Sequence, residues 1–581
     1  MTESQTGDRR LSDIESSDVR SDGRPFARIV RAAVRAAPIV VVAIGAWFRL
    51  VGLGQAQLFR DEAATWMLAR YPVDTIVQRN LDKTYPPLYP LLMHFWMAVV
   101  GTGEAALRDP SAIAGIVTVA VAWRWSSQAL GRTAGLMTAA VVAVSALLID
   151  NSREARMYAL ETMFATMAWW LAWRLAADGR TLDGKPRWWV AAIVTGLAAA
   201  VAGEVWTLAF GIPTAGLQFL FVLVALAVGW RAWRMGERSL RGPVLAAVGI
   251  VAGGATMTVW LPRLLGVALD GQSFWTAKPD LASVRSSLFF FLSVPGLADV
   301  SALAPIGVAL AVFAGLVGLA APGRMGLARR SNDGSQVSVA AEVLRVRLFG
   351  VAVVLGIGLV AVIWIYSQVN SVYDPRYLGA AGVSLAGLVG AGLISIVRVT
   401  RRRTLGSAAG IILAVAILGP MTGGALKNVD SLNTNWNNNP AGETAEQLTT
   451  LVRPGDVVLT VDAQTYLPLV YYLGQTEAGT AILDRTYDWY QPNWSPYIGT
   501  SLIANDRVVD AVLVSKVGWR AALPGLSPSG TIWLATIVNG TNSKLGFKPL
   551  DTGQLVERPS GTIFVTPPDE LVGQIRPLVI A

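Results

Sequence analysis

Two adjacent carboxylates, Asp61 and Glu62, follow the first long apolar segment of the chain. A carboxylate near a membrane edge is costly unless it is paired or used, so the pair marks a candidate site, although the first turn of a helix would also accommodate it. Other polar residues stand in segments that the topology derived below places on the same side of the membrane: Lys83, Tyr85, Arg153, Glu154, Arg156, Lys278, Arg285, Asp374, Arg376 and Tyr377. Carboxylates that abstract a proton, facing cations that bind a phosphate, are the groups needed for transfer from a phosphorylated donor.

The composition excludes a soluble globular protein. Of the 581 residues, 53% are apolar and 15% are charged, and the mean hydropathy is +0.47, which predicts a polytopic membrane protein. Cysteine is absent and His94 is the single histidine, so thiolate metal sites are excluded and little imidazole chemistry is left. The net charge of +9 comes largely from arginine clusters between apolar segments. Orientation in the bilayer explains those clusters better than a nucleic-acid partner does.

The arginine clusters also fix the predicted topology. Residues 1–30 are predicted to form a disordered cytoplasmic tail, because they are polar and Arg28, Arg31 and Arg35 precede the first span. The segment 54–106 is predicted to lie outside with juxtamembrane helices, since a span at 88–100 would move every later arginine cluster outside. About eleven spans then fill a membrane domain over 31–426, at 36–53, 108–125, 133–149, 158–175, 188–206, 208–229, 243–266, 302–321, 348–368, 378–397 and 405–426.

The remaining chain, 427–581, turns polar and is predicted to form an extracytoplasmic α/β domain. Short β-type runs alternate there with helix-like stretches. The expected strands are 457–461, 480–483, 511–515, 532–538 and 562–565, and the expected helices are 465–473 and 567–572.

Four runs in order carry a family resemblance: RDEAATW, TYPPLYPLLMHFW, LRDPSAIAGIVTVAVAW and NSREARMYALETM. They are similar to the polytopic glycosyltransferases of the GT-C superfamily, in the branch of lipopolysaccharide sugar transferases, aminoarabinose lipid A transferases and protein O-mannosyltransferases. The run VYDPRYLGAAGVSLAGL resembles the later arginine-tyrosine segment of that branch. The resemblance covers about 45–175 and, more loosely, 370–395. The sequence departs from the branch at Tyr85, where a histidine commonly precedes the two prolines.

The resemblance implies the GT-C fold and a polyprenyl-phosphate-sugar donor, used with inversion on the outer face of the cytoplasmic membrane. Asp61 matches the position of the general base, and Glu62 would assist it by orientation or charge. Arg376, together with Tyr377, is the first choice for stabilising the departing phosphate, with Lys83 and Arg156 behind it. Tyr85 would bind phosphate or sugar through its hydroxyl, while Glu154 would contact the acceptor or hold Arg156. No metal ligands are assigned, although the adjacent carboxylates leave a divalent cation open.

The acceptor is expected to be an envelope glycan, a glycolipid or a protein. Arginine exceeds lysine and the spans are rich in Ala, Val and Gly, which indicates a high-GC bacterium such as an actinobacterium and favours mannose or arabinose as the sugar. Two other functions stay open: a lipid-linked sugar flippase or transporter, and a non-catalytic assembly scaffold. A transporter predicts inverted repeats and midplane charges, and the sequence shows neither pattern.

Overall fold

The protein is described by a computed structural model. The residues that the structure describes are 23–82, 86–177, 185–234, 240–262, 265, 278–293, 303–322, 336–401, 408–434, 441–460, 463–490, 508–510, 522–523, 525–527, 530–539, 555–557, 563–565 and 571–580.

Most of the described residues up to residue 434 are helical. The first, α1, spans Gly23–Leu50, so residues 23–30 of the predicted tail belong to a helix. The segment 54–106, the predicted external connection, holds α2 (Arg60–Ala69), α3 (Val73–Asp82) and α4 (Leu88–Val100). The following helices are α5 (Glu104–Leu130), α6 (Arg132–Ala143), α7 (Ala146–Arg153), α8 (Tyr158–Ala177), α9 (Arg187–Thr207), α10 (Gly211–Arg234), α11 (Arg241–Ala255), α12 (Leu281–Phe291), α13 (Leu303–Ala320), α14 (Gln336–Tyr366), α15 (Gly379–Arg401) and α16 (Ala408–Thr434).

Seven of the described helices are long and apolar enough to cross a membrane, or eight if α6 and α7, bent by 59°, form one span. The multi-pass membrane protein predicted from the sequence is therefore confirmed. Helices α1, α8 and α13 coincide with further predicted spans, and the count of eleven stays a prediction. Helix α4 has 13 residues, which is too few to cross a hydrocarbon core, in keeping with its assignment to the external connection.

Helix α15 lies at the centre of the bundle. Within Pro375–Val399, 83% of the most apolar stretch is buried inside the protein. The helix packs against α6, α13 and α14. Its small residues permit this close packing. A Cβ on Gly392 would lie 1.7 Å from the carbonyl oxygen of Ala311 in α13, so only glycine fits at that crossing. The buried helix gives firm support to the turn that precedes it, Pro375–Leu378.

The chain after α16 forms an α/β unit. Its helices are α17 (Ala441–Leu451), α18 (Ala463–Leu473) and α19 (Glu477–Leu483), and its strands are β1 (Val457–Thr460), β2 (Thr486–Tyr490), β3 (Val508–Asp510), β4 (Ile532–Asn539), β5 (Leu555–Glu557), β6 (Ile563–Val565) and β7 (Leu571–Ile580). The strand order is β3-β2-β1-β4-β7-β5, with β6 also on β7. Strands β1 to β4 pair in parallel, whereas β7 pairs antiparallel with its neighbours.

Two local expectations for this unit are wrong. The predicted strand at 480–483 lies in α19, because the Thr476 hydroxyl caps that helix by accepting from Gly479 N at 3.0 Å. Residues 571 and 572 of the predicted helix at 567–572 lie in β7, where they pair with β4 across the sheet, and 567–570 lie outside the described residues. Helix α16 runs on to Thr434, past residue 427, where the sequence predicts that the extracytoplasmic domain begins, and that boundary stays a prediction. The predicted strand at 511–515 lies outside the described residues.

Candidate active site

The candidate site is built on the external connection between α1 and α5. Helix α2 begins at Arg60, so Asp61 and Glu62 occupy its first turn, where acidic groups interact favourably with the helix dipole. Phe59 N donates to Glu62 Oε2 at 3.4 Å, which makes Glu62 a cap of its own helix. Consecutive helical residues point about 100° apart. The two neighbouring carboxylates therefore face different surroundings.

Glu62 faces inward and its charge is fully paired. Its side chain is buried, and Arg108 on α5 donates to both carboxylate oxygens at 2.7 Å. Ala155 N, beyond the end of α7, donates to Glu62 Oε1 at 2.8 Å. Arg108 also donates to the carbonyls of Leu53 and Ala56, at 2.9 and 2.8 Å, and to that of Gln57 at 3.1 Å. The pair ties the external connection to a membrane helix, so Glu62 holds the site in place and has no free oxygen for a substrate.

Asp61 faces outward and stays partly exposed, with 19% of its side chain accessible. Arg60 Nε lies 2.9 Å from one carboxylate oxygen and Arg376 Nη1 lies 3.7 Å from the other. Arg156 Nη1 donates to the Asp61 carbonyl at 3.3 Å and to Thr65 Oγ1 at 3.2 Å. Burial works to raise the pKa of Asp61, but the charges of Arg60, Arg156 and Arg376 outweigh it and lower the pKa to about 2. The carboxylate is therefore ionised at neutral pH.

Arg376 is held by its own turn. Asp374 caps the turn by accepting from Arg376 N at 2.9 Å, and it also accepts from Nε at 3.2 Å and Nη2 at 3.3 Å. This two-pronged grip leaves Nη1 directed at Asp61 and, 3.8 Å away, at Glu154 Oε2. The guanidinium also lies over the ring of Tyr158, 5.6 Å from its centroid. A planar fork fixed on one edge presents its other edge to a ligand.

Tyr377 lies beside this arginine in an aromatic cluster. Its ring packs against Phe210 with centroids 4.6 Å apart and against Tyr158 at 5.7 Å. Asn151 Nδ2 donates to the Arg376 carbonyl at 3.0 Å, which ties the turn to α7. The cluster makes an apolar wall beside the charged groups.

Glu154 is the unusual group of the site. Its side chain is buried, and neither carboxylate oxygen has a hydrogen-bond partner within the described residues. Burial raises the pKa of Glu154 to about 8; Arg376 opposes this shift, whereas Glu62, Asp150 and Asp61 add to it. The side chain is thus mostly a neutral carboxylic acid at pH 7. It borders a cavity of about 20 Å³, enough for a water molecule.

The structure thus brings together most of the residues predicted from the sequence. Asp61, Glu154, Arg156, Arg376 and Tyr377 meet in one place, with Glu62 directly behind them. Lys83 and Tyr85 lie outside the described residues. The site also contains two residues to which the sequence reasoning gave no role there, and these are Arg108 and Tyr158. Arg108 carried a signal, because an arginine inside an apolar helix is rare and needs a partner.

The two adjacent carboxylates do not converge on a common point that a divalent cation would occupy. Glu62 is saturated by Arg108, and Asp61 is surrounded by guanidiniums. Among the described residues no group of three or more His, Cys, Asp and Glu side chains is arranged to hold a metal ion.

Known proteins resemble this chain over part of its sequence and in fold. Residues 84–260 match the family model described as dolichyl-phosphate-mannose-protein mannosyltransferase. The fold is similar to that of ArnT from Cupriavidus metallidurans, bound to undecaprenyl phosphate (TM-score 0.52, 12% identity) and in the apo state (TM-score 0.50, 14% identity). Each alignment covers 92% of this chain and 97% of ArnT. The oligosaccharyltransferase of Archaeoglobus fulgidus, in a complex with Zn and sulfate, is less similar, with a TM-score of 0.44, 12% identity, and coverage of 74% of this chain and 61% of its own. No curated protein matches the sequence.

The chain therefore has the GT-C fold, as the sequence motifs predicted. The matched family and the shared fold together support the enzyme class, which is that of the GT-C membrane glycosyltransferases.

Proposed function

We propose that the protein transfers a sugar from a polyprenyl-phosphate donor to a hydroxyl group of an envelope glycan or glycolipid, with inversion at the anomeric carbon. The observation that carries the proposal is the position of Arg376. Its Nη1 lies 3.7 Å from the Asp61 carboxylate, so a phosphate bound by this arginine would hold the sugar next to Asp61. Undecaprenyl phosphate in the ArnT structure supports a donor of this kind.

The reaction needs one base and a site for one anion. The acceptor oxygen attacks the anomeric carbon while Asp61 takes the hydroxyl proton, and the bond between that carbon and the phosphate oxygen breaks. The electron pair of this bond leaves on the phosphate. Arg376 and Arg156 stabilise the charge that develops there, since oriented cations in a partly buried site bind an oxyanion strongly. The departing phosphate is a stable anion, so no general acid is required.

The low pKa of Asp61 belongs to the site without its donor. Three guanidiniums act on the carboxylate, and a bound phosphate neutralises part of their charge, which increases the proton affinity of Asp61. The donor thus strengthens the base that its own transfer requires. Glu154, mostly protonated at neutral pH, provides a hydrogen-bond donor for the acceptor or the sugar.

The proposed location is the outer face of the cytoplasmic membrane, with the amino terminus in the cytoplasm. The arginine bias of the loops supports this orientation. The α/β unit contacts the external connection directly, because Tyr472 bonds to Leu58, so both belong on the same side. Mannose is the favoured sugar because the matched family is named for it, and arabinose is the alternative.

The test uses the purified protein in lipid vesicles with radiolabelled polyprenyl-phosphate mannose or arabinose, and with an envelope fraction as acceptor. Asp61→Asn removes the base, and we expect transfer to fall by about 10²- to 10⁴-fold. The control Asp74→Asn changes an exposed carboxylate in the same external connection and is expected to transfer normally. Normal turnover by the Asp61→Asn protein would refute the assignment of the base, and transfer of neither sugar would refute the proposed donor.

A further inference from the structure

The α/β unit packs directly against the segment that carries Asp61. Helix α18 lies on α2, where Tyr471 meets the Trp66 ring edge-on with centroids 5.1 Å apart. Tyr466, Leu467, Tyr471 and Trp66 are all buried in the same apolar cluster. Because these side chains pack together, the α/β unit is docked on α2 and is not merely connected to the membrane domain through the chain.

Tyr472 makes the contact nearest to the candidate base. Its hydroxyl accepts a hydrogen bond from Leu58 N at 2.8 Å and donates one to Glu104 Oε1 at 3.1 Å. Leu58 precedes Asp61 by three residues and has a fully buried side chain. The tyrosine therefore joins the start of α2 to the start of α5, the helix that also carries Arg108.

A second contact holds the chain at Gln57, one residue before Leu58. Gly442 N, at the start of α17, donates to Gln57 Oε1 at 2.7 Å, and Gln57 Nε2 donates to Glu443. The chain from the end of α1 to the start of α2 has no helix or strand of its own. Its path is therefore set by tertiary contacts, and the α/β unit supplies contacts at Gln57, at Leu58 and at Trp66, on both sides of Asp61.

We propose that the α/β unit acts as a positioning element of the active site, with Tyr472 as the residue that fixes the backbone leading into Asp61. This inference rests on the proposed function, in which Asp61 is the base. An error of about 1 Å in the placement of a reacting group costs on the order of 10²-fold in rate. The proposal therefore predicts that loosening this contact lowers turnover more than it lowers donor binding, because Arg376 is held by its own turn and by α7.

The first experiment compares Tyr472→Phe with Tyr471→Phe in the full-length protein. Each variant keeps the aromatic ring and loses one hydroxyl. The Tyr471 hydroxyl donates to the Thr102 carbonyl at 2.8 Å, whereas the Tyr472 hydroxyl accepts from Leu58 N, beside the start of α2. We expect Tyr472→Phe to lower kcat for sugar transfer about tenfold or more, with KM for the donor nearly unchanged, and Tyr471→Phe to have little effect. Equal losses in both variants, or a change confined to KM, would overturn the positioning role.

The second experiment exploits the absence of cysteine from the chain. A Cβ on Gly442 would lie 3.0 Å from the end of the Gln57 side chain, so a short bifunctional thiosulfonate can bridge Gln57→Cys and Gly442→Cys. We expect the bridged protein to transfer sugar at the wild-type rate and the bridge to restore kcat in the Tyr472→Phe background. With formation of the bridge verified by mass spectrometry, a bridge that fails to rescue kcat, or that inactivates the enzyme until it is reduced, would overturn the proposal. The unbridged and wild-type proteins report separately on the proposed function itself.

Discussion

The sharpest prediction concerns the different roles of the two neighbouring carboxylates, and Arg108→Met tests it. Arg108 makes five hydrogen bonds, two to Glu62 and three to backbone carbonyls of the external connection. Methionine keeps much of the volume but leaves a buried carboxylate that has only two backbone amides as donors, those of Phe59 and Ala155. Removing one partner of a buried ion pair typically costs about 3–5 kcal/mol, because the other charge stays buried and unpaired.

Asp61→Asn is the matched comparison, since it also neutralises one charge in the same helical turn. The Asp61 side chain is partly exposed and its arginine partners keep access to water, so neutralising it should cost less stability than the loss of Arg108. We expect Arg108→Met to lower both stability and transfer strongly, whereas Asp61→Asn lowers mainly transfer. A double variant, Arg108→Met with Glu62→Leu, should recover part of the stability without recovering activity, because it removes the unpaired buried charge but leaves the backbone groups that the ion pair bonded without those partners.

The measurement is the apparent melting temperature in detergent, followed by size-exclusion chromatography of heated samples, beside the transfer assay. Unfolding of a membrane protein in detergent is rarely reversible, so the order of the variants carries the test rather than a free energy. A melting temperature for Arg108→Met equal to that of the wild type would show that the pair does not hold the site. A drop for Asp61→Asn as large as that for Arg108→Met would show that the two carboxylates share one structural role.

Two further predictions follow from the charged groups around Asp61. Arg376→Lys should raise KM for the donor about tenfold, because an ammonium cannot hold Asp374 with two nitrogens and present a third to the phosphate. Titration of the donor in the transfer assay measures this change, and an unchanged KM would contradict the prediction. The pKa of Glu154 is about 8 in the folded protein and 4.5 in the unfolded chain, so between these pH values the folded protein binds a proton that the unfolded chain has lost. The wild type therefore loses stability as the pH rises through this window. Glutamine cannot ionise, so Glu154→Gln should gain apparent melting temperature over the wild type at pH 8.5 and little at pH 5, and a gain independent of pH would refute the shift.

The sequence alone was enough for the membrane class, the GT-C motifs and the approximate positions of the long helices. These features depend on hydropathy over some twenty residues and on arginine bias, which are local properties of the chain. The same reasoning placed the loop after α7 and the Pro375–Leu378 turn on one side with Asp61. It was least accurate in the α/β unit, where a cap at Thr476 and pairing between distant strands decided which residues became helix or strand.

The family resemblance gave Asp61 and Glu62 different roles, but only the tertiary structure shows how their surroundings differ. The two residues are adjacent and chemically similar, and both would suit the first turn of a helix. What distinguishes them is that Glu62 meets Arg108, 46 residues away, and is neutralised in the interior, while Asp61 faces Arg376 from a turn more than three hundred residues later. Tyr472 likewise reaches Leu58 across 414 residues. Partners at such separations are set by how the helices pack, and no local pattern in the sequence records them.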